Sequence, residues 1–375
     1  MMHYTRSSVA TRPGDPLRVA REAISYGRNV VAKKDALFTV RHRLFVNDPW
    51  ELIAEAIHRA LPESRERDIA HSFRRQAEDY FRGATVGREL AVRPVLLYYA
   101  FLNLSKAYAV AKGNTQLTAA AFHGLSFKNR PRTIPGSLIE FPRRPPAVFQ
   151  ELLRDLDGNL NLLNSNLRLG HLLPQILPGH RLWCYATSRA ERFLSIERSE
   201  VLHSPAKNEV WLNLYLNQND LDRLGLSGKT VLSQADLVGE FEIATGASYP
   251  DWLCFQQRRP SVYRTDPGEA LVEIISSVRN RIWETVKVAS PYRKPYIYCC
   301  PAPERNSRMP QILSIYLLMF CLGSVTRYSP GYFDDLLESK YGPFFDTFIS
   351  ESPMQFLYLM ASEILGQEVS KPAII

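Results

Sequence analysis

One stretch that is apolar on nearly every side, PVLLYYAFLNLSKAYAVAKG from Pro94 to Gly113, constrains the fold of this chain most. A helix without a polar face is normally buried in the middle of a domain. Pro94 suits the first turn of such a helix, and Gly113 suits the position just beyond its end. The sequence therefore predicts a buried helix over residues 94–112, around which other segments must pack.

Three polar residues interrupt this helix on one side. Tyr99, Asn103 and Lys106 are spaced i, i+4, i+7 and therefore share one face. A lysine inside an apolar helix costs free energy unless an anion or a carbonyl group meets it. Two interpretations stay open. The face is either a structural hydrogen-bond network whose lysine extends its charged end toward water, or one wall of an anion-binding site.

Further helices are indicated on both sides of this segment. Apolar residues recur at helical spacing over Trp50–Leu61 and His71–Ala84, with charged residues between them. Nearer the C-terminus, Pro310–Arg327 and Pro353–Gly366 are largely apolar, which predicts two more buried helices. In the basic N-terminal part, Leu17–Val31 is compatible with a short helix.

The middle of the chain changes to an alternating pattern. Apolar and polar positions alternate over Val210–Leu216, which predicts a half-buried strand. Arg181–Ala186 and Pro295–Cys300 are further strand candidates. Ala270–Val286 returns to helical spacing.

These segregated patterns predict an α+β fold. We expect a helical N-terminal unit, a β-rich mixed middle and C-terminal helices that pack back on the N-terminal helices. The expected segments are a basic arm (1–47), a helical unit (48–127), an Arg/Pro-rich loop (128–148), a mixed β-rich region (149–309) and the C-terminal helices (310–375).

The Arg/Pro-rich loop combines positive charge with stiffness. Five prolines between Lys128 and Phe149 remove backbone donors and disfavour helix, so we expect an exposed, stiff segment. It is either an ordinary surface connection or a contact for nucleic acid or a protein partner. Its candidate polyanion contacts are Lys128, Arg130, Arg132, Arg143 and Arg144.

The positive charge of the chain is unevenly distributed. Residues 1–150 carry 24 Lys and Arg against 13 Asp and Glu, whereas residues 151–375 carry 22 against 25. The first part has a net charge of +11 and the second of −3. Such asymmetry is typical of a surface for nucleic acid or another polyanion. A solvated face or a contact for an acidic protein partner would give the same pattern.

Several common chemistries have no counterpart in the sequence. No GxxxxGK[ST], GxGxxG, GxSxG or kinase motif occurs, and the histidines and five cysteines show no HxH, HExxH or CxxC spacing. We therefore expect no metal and no cofactor, and reduced thiols. The polar N-terminus lacks a signal-peptide core, and the longest apolar run, Ile312–Leu322, is too short to span a bilayer. We expect a soluble cytoplasmic protein without membrane contact.

An ordered set of motifs resembles the bacterial YaaC-like family. They are HSFRRQAEDYFRGA, RPVLLYYAFLNLSKA, FHGL, TRYSPGYFDDLL and PMQFLYLMASEILGQEVSKP, and they fall between residues 48 and 372. The resemblance implies a family but no settled activity.

The helical core is also similar to HEPN domains, many of which are RNases of phage-defence and toxin systems. The similarity lies in the apolar YYA helix, a lysine and a glycine downstream, and an HG pair. The HEPN signature of an arginine followed by a histidine has two counterparts, Arg65 with His71 and Arg198 with His203. Neither pair is placed where that resemblance requires it.

The matched segments contain a group of polar and charged residues that would suit a phosphate, carboxylate or nucleotide if they converge. His123 is either a cap at a helix exit or a general base, and Arg327 is either a last-turn cation or an anion ligand. The candidate ligand-binding residues are Arg74, Gln76, Tyr99, Asn103, Lys106, Arg327 and Tyr328, with His123 as the candidate catalytic residue.

Two functions are compatible with these patterns. The first is a binding or regulatory component that contacts protein partners and a polyanion, either nucleic acid or a nucleotide. The alternative is an HEPN-like RNase or another phosphodiester-acting effector of a phage-defence or toxin system. Whether the protein is an enzyme stays open at this point.

Overall fold

A computed structural model describes most of the chain. The described residues are 8–19, 21–27, 30–33, 36–40, 43–86, 91–118, 121–130, 134–142, 144–157, 160–246, 249, 251–286 and 294–372. Their helices are α1 (Trp50–Ala60), α2 (Arg65–Val86), α3 (Arg93–Ala111), α4 (Val148–Leu156), α5 (Leu169–Leu172), α6 (His180–Thr187), α7 (Gln218–Arg223), α8 (Gly228–Gln234), α9 (Gly268–Val278), α10 (Gln311–Tyr328), α11 (Pro330–Glu338) and α12 (Gly342–Leu365).

The strands are mostly short and concentrate in the middle of the chain. They are β1 (Val9–Ala10), β2 (Asp15–Pro16), β3 (Arg18–Val19), β4 (Glu22–Ala23), β5 (Val30–Lys33), β6 (Ala36–Val40), β7 (Leu44–Phe45), β8 (Ser126–Lys128), β9 (Leu138–Glu140), β10 (Leu167–Arg168), β11 (Phe193–Ser204), β12 (Glu209–Asn217), β13 (Phe241–Thr245), β14 (Trp252–Gln257), β15 (Ser261–Val262), β16 (Ile282–Glu284), β17 (Pro295–Tyr298) and β18 (Val369–Ser370). This content confirms the predicted α+β class.

The chain divides into two compact units. The sheet unit comprises residues 1–44, 192–285 and 292–302, and the helix-rich unit comprises residues 45–191, 286–291 and 303–375. The finer five-segment division of the chain stays a prediction.

The sheet unit is built on a mixed sheet with the path β1-β13-β14-β12-β11-β17-β16. Neighbouring strands along this path are antiparallel except β1 and β13, which are parallel. Leu212, Leu214 and Leu216 of β12 pack into a core cluster that includes apolar residues of α9. The outward neighbours on β12 are also buried, since Trp211 and Asn213 are both 0% exposed. The predicted strand is therefore confirmed, but its half-burial was wrong, because alternation does not reveal that both faces of a strand are covered.

The helix-rich unit is organised around α3, the helix predicted over residues 94–112. It contacts α2, α10, α12 and α4. These helices cover the apolar surface that α3 has on every side. Gly323 of α10 lies against Pro94 and Tyr98 of α3, where a Cβ would come within 3.1 Å of the Pro94 carbonyl oxygen. On another side of α3, the rings of Phe101 and Phe356 stack with centroids 3.8 Å apart. Two C-terminal helices therefore pack on α3.

One helix of the described residues, α10, is long and apolar enough to cross a membrane by length and composition alone. However, 83% of its 18 residues are buried inside the protein. This burial is typical of a core helix.

Several predicted elements were wrong in type or extent. Arg181–Ala186 is part of helix α6 rather than a strand, because buried His180, Trp183 and Cys184 follow helical spacing. The short helix predicted over Leu17–Val31 is replaced, in its described part, by strands β3, β4 and the start of β5. Arg21 has a positive φ between β3 and β4, where the chain turns.

The last long helix begins earlier than predicted. It extends from Gly342 and continues through Pro353, which was expected to start it. A proline inside a helix removes one backbone hydrogen bond, yet Pro353 is buried within α12.

The stretch predicted as an exposed Arg/Pro-rich loop is partly folded. Strand β9 pairs with β8 and β10 in a small sheet, and Ile134, Ser137 and Ile139 are buried. Arg132 and Arg143 lie outside the described residues.

Candidate functional site

The polar face of α3 meets helix α2 in three successive contacts. The Tyr99 ring stacks on Tyr80 with centroids 5.5 Å apart. One turn along, Asn103 Nδ2 donates a hydrogen bond of 3.4 Å to Gln76 Oε1. At the next turn, Lys106 Nζ lies 5.1 Å from the centroid of the Phe73 ring. Residues spaced three or four apart on each helix therefore pair across the interface.

Lys106 is a half-buried cation, and no described residue gives it an acidic partner. Among the described residues no hydrogen bond or carboxylate contact to its amine is found, and the Phe73 ring is the contact that the structure gives it. Burial lowers the pKa of Lys106. A cation–π contact offsets part of the cost of that burial, so the lysine is tolerated without a ligand.

Arg74 and Gln76 have structural surroundings. Arg74 donates to Glu78 at 2.8 Å, and Glu78 also pairs with Arg82. Gln76 is exposed and bonds the Asn103 amide. Arg74 therefore forms a salt bridge within α2, and Gln76 links α2 to α3. Neither residue contacts Arg327.

Arg327 lies in the last turn of α10, where its guanidinium is held among tyrosines. Its Nε donates to the Gly323 carbonyl at 3.2 Å, and its Nη1 donates to the Tyr99 hydroxyl at 3.0 Å. Its Cζ lies 5.7 Å from the ring centroids of Tyr98 and Tyr99 and 5.1 Å from that of Tyr328. We call Tyr98, Tyr99, His123, Arg327 and Tyr328 the Arg327 site.

No carboxylate among the described residues lies within salt-bridge distance of Arg327. The sequence explains this, because residues 90–139 and 305–333 contain no Asp or Glu. Helices α3 and α10 lie entirely within these two acid-free stretches. The positive charge of Arg327 is thus left uncompensated by the helices that hold it.

The ring of a buried tyrosine, Tyr98, lies beside this arginine. Tyr98 is 2% exposed, and its hydroxyl has no hydrogen-bond partner among the described residues. Burial raises the pKa of Tyr98, although the nearby charge of Arg327 acts in the opposite direction. The hydroxyl therefore keeps its proton and can donate it. A buried polar group without a partner costs free energy, so an acceptor that reached this hydroxyl would be stabilised by it.

His123 adds another polar group near Arg327. Its ring lies 5.6 Å from that of Phe320 on α10. Burial and then the charge of Arg327 lower its pKa, so His123 is neutral at neutral pH. Its Nδ1 accepts a hydrogen bond of 3.2 Å from the Leu125 backbone N–H, which leaves the proton on Nε2. Neutral His123 thus presents an Nε2–H donor.

The candidate polyanion contacts of the Arg/Pro-rich stretch are not equivalent. Lys128 forms a salt bridge with Glu140, so part of its charge is neutralised. Arg130 and Arg144 are exposed. These two arginines keep their charge available to a ligand at the surface.

The arginine–histidine pairs of the HEPN comparison are not arranged as joint ligands of one group. Arg65 and His71 lie six residues apart on α2, which places them about 120° apart around the helix. Arg198 and His203 lie five residues apart on β11 and so point to opposite faces. Among the described residues, no group of His, Cys, Asp and Glu that could hold a metal ion is found.

Sequence reasoning missed Tyr98 and the exposed ring of Phe122, next to His123. Tyr98 belongs to the same YYA motif as Tyr99, but a helix face chosen at i, i+4, i+7 excludes it. Its importance depends on Arg327, whose contact partner Tyr99 is 228 residues away in the chain. No local pattern reveals such a pairing.

The family comparison supports the motif-based resemblance. A family model described as YaaC-like Protein matches residues 36–364. The match spans most of the chain, so the protein belongs to the YaaC-like family. The matched range includes all five residues of the Arg327 site. Searches of curated proteins and of solved structures find no significant match.

Proposed function

We propose that this YaaC-like protein is a binding and regulatory component that recognises a phosphate-bearing polyanion, nucleic acid or nucleotide, through the Arg327 site. A single observation carries the proposal. Arg327 has no carboxylate partner among the described residues, and it lies beside the ring of Tyr98, whose buried hydroxyl has no hydrogen-bond partner among them either. In this role we also expect a protein partner, for which the charge asymmetry of the chain is the support.

The donors of the site match the chemistry of an oxyanion. An arginine supplies several N–H groups in a planar fork that suits phosphate oxygens. The Tyr99 oxygen already accepts from Arg327, so the hydroxyl proton of Tyr99 is free for another acceptor. Tyr98 O–H and His123 Nε2–H add neutral donors. Together these groups supply hydrogen bonds and one full positive charge.

A cation of this kind contributes most to the affinity for an anion when it is partly removed from water. Arg327 is half-buried rather than exposed, and α3 and α10 hold its position through bonds to Gly323 and Tyr99. A positioned guanidinium loses less side-chain entropy on binding than a flexible surface arginine. The site is therefore largely preformed.

The proposal is tested by titrating the full-length protein with phosphate in a calorimeter. Arg327→Gln should weaken phosphate binding at least about tenfold, as expected for the loss of a hydrogen bond to a charged group. Arg59→Gln is the matched control, since Arg59 is 75% exposed and pairs with Glu55 on α1. It removes the same charge and should leave the affinity unchanged. Equal affinities in all three proteins would contradict the proposal.

An RNase or other phosphodiester-acting enzyme is the alternative function, and the effect of the Arg327 charge on the pKa of His123, whose ring lies against Phe320 of the same helix α10, is the observation in its favour. A neutral histidine beside a cation can act in proton transfer. However, the free nitrogen of His123 carries a proton in the tautomer set by Leu125, so it suits donation better than proton abstraction. Incubating total RNA with the protein and with His123→Ala tests this alternative. Cleavage that disappears in the variant would establish it.

A further inference from the structure

Two exposed aromatic residues are the chain neighbours of the cation and the histidine of the Arg327 site. Tyr328 follows Arg327 in the chain and is 77% exposed, and Phe122 precedes His123 and is 52% exposed. An exposed aromatic ring gains little from folding, because its apolar surface stays in water. The position of each ring next to a polar group of the site therefore calls for an explanation.

The backbone under Phe122 is firmly held. The Phe122 N–H donates to the Pro146 carbonyl at 3.0 Å, and its carbonyl accepts from the Val148 N–H at 2.9 Å. Gly124, with φ of +78°, lies so close to Ala147 that an added Cβ would come within 2.9 Å of the Ala147 Cβ. The exposed ring thus projects from a backbone anchored by hydrogen bonds and close packing.

Tyr328 is held differently, as the final residue of α10. The Arg327 guanidinium lies 5.1 Å from its ring centroid, while the large exposed fraction leaves much of the ring open. A cation beside an exposed aromatic ring is the combination that single-stranded nucleic acid sites use. The cation binds the phosphate, and the ring stacks on a base.

We propose that the ligand of the Arg327 site is a nucleotide with an unpaired base, whose phosphate binds Arg327 and whose base stacks on Tyr328. Phe122 offers a second ring for the next base when the nucleotide belongs to a strand. This inference rests on the proposed function and adds the class of ligand. Duplex nucleic acid is disfavoured, because its bases are already stacked on one another inside the helix.

The first experiment compares ligands that share a phosphate. Full-length protein is titrated with inorganic phosphate, ribose 5-phosphate and adenosine monophosphate. The nucleotide should bind about tenfold more tightly than ribose 5-phosphate, which corresponds to one base–aromatic stack. A labelled single-stranded 12-mer should likewise bind more tightly than the same sequence annealed to its complement.

The second experiment assigns the gain to the two rings. Tyr328→Ala should remove the advantage of the nucleotide, whereas Tyr328→Phe should keep it, because stacking needs the ring and not the hydroxyl. Tyr185→Ala is the matched control, since Tyr185 on α6 is 88% exposed and has no place in the site. Phe122→Ala distinguishes the two sources of the ligand. If Phe122→Ala weakens binding of the 12-mer but not of adenosine monophosphate, the natural ligand is a strand. If this variant weakens binding of neither, the natural ligand is a free nucleotide.

Failure of this inference is distinguishable from failure of the proposed function. The stacking proposal is overturned if ribose 5-phosphate and the nucleotide bind equally and Tyr328→Ala has no effect, while Arg327→Gln still weakens phosphate binding. The phosphate site then stands. If phosphate binding is absent or insensitive to Arg327→Gln, the proposed function fails, and the ligand class fails with it.

Discussion

At the residue scale, two half-buried cations of this protein have different surroundings. Lys106 lies over the Phe73 ring at a helix interface, while Arg327 bonds Tyr99 and Gly323 and lies near three tyrosine rings. Neither has a carboxylate partner among the described residues. The difference is that Arg327 lies beside the ring of Tyr98, whose buried hydroxyl has no partner among the described residues. We therefore interpret Lys106 as part of the interface and Arg327 as the ligand-binding cation.

Replacing Lys106 by an apolar residue tests that distinction. We expect Lys106→Met to raise the free energy of unfolding at neutral pH by on the order of 1 kcal/mol, since a partly buried charge is removed. The folded-state pKa of Lys106 is lowered from 10.5, so stability of the natural protein rises with pH between the lowered pKa and 10.5. The gain should shrink over that window. Denaturant unfolding of both proteins at several pH values measures this gain in stability. The phosphate affinity of Lys106→Met should equal that of the natural protein.

His123 makes a prediction about pH. Its folded pKa is lowered from 6.5, so the stability associated with neutral His123 is present above pH 6.5 and lost as pH falls through the lowered pKa. Protonation adds a positive charge beside Arg327. Affinity for sulfate, whose charge is constant over this range, should therefore rise several-fold between about pH 7.5 and 5.5. His123→Gln should abolish the rise, whereas His58→Gln on the exposed side of α1 should preserve it.

At the element scale, helical periodicity located the helices more accurately than strand periodicity located the strands. Helices α3 and α10 were located within a residue or two, because their apolar surface is continuous and each begins next to a proline. Tyr99, Asn103 and Lys106 do share the face that meets α2. The strand predicted over Arg181–Ala186 was wrong, since a six-residue run is too short for its period to be decided. The pairing of α3 with α10 depends on contacts far apart in sequence, which no window of residues contains.

The close approach of α3 and α10 depends on Gly323. An alanine there would place its Cβ 3.1 Å from the Pro94 carbonyl oxygen and 3.2 Å from the Tyr98 Cβ. We expect Gly323→Ala to lower the free energy of unfolding by about 1–3 kcal/mol, because neither helix backbone can easily move. Gly331→Ala on α11 is the control, since nothing lies within 4 Å of the added Cβ. If thermal unfolding shows that Gly323→Ala is as stable as Gly331→Ala or more stable, this packing is contradicted.

At the scale of the whole molecule, the sequence shows the charge asymmetry clearly but not which cations stay available. Lys128 is paired with Glu140, while Arg130 and Arg144 are exposed. If a polyanion follows this surface, changing both arginines to alanine should reduce the slope of log affinity against log salt for a single-stranded 12-mer. The expected reduction is about 1.4, at roughly 0.7 per lost phosphate contact. Lys128→Ala should change the slope less, and an unchanged slope in the double variant would place the contact elsewhere.

The most direct test of the whole account is phosphate binding by Tyr98→Phe. This change removes one buried hydroxyl that has no partner among the described residues and leaves the ring in place. Tyr316→Phe is the matched control, because the Tyr316 hydroxyl is also buried and without a partner there, but Arg327 has no ring contact with it. Both variants should be at least as stable as the natural protein. The account predicts that calorimetry finds weaker phosphate binding in Tyr98→Phe alone. Equal phosphate affinity in both variants and the natural protein would contradict the claim that this hydroxyl and Arg327 form an anion site.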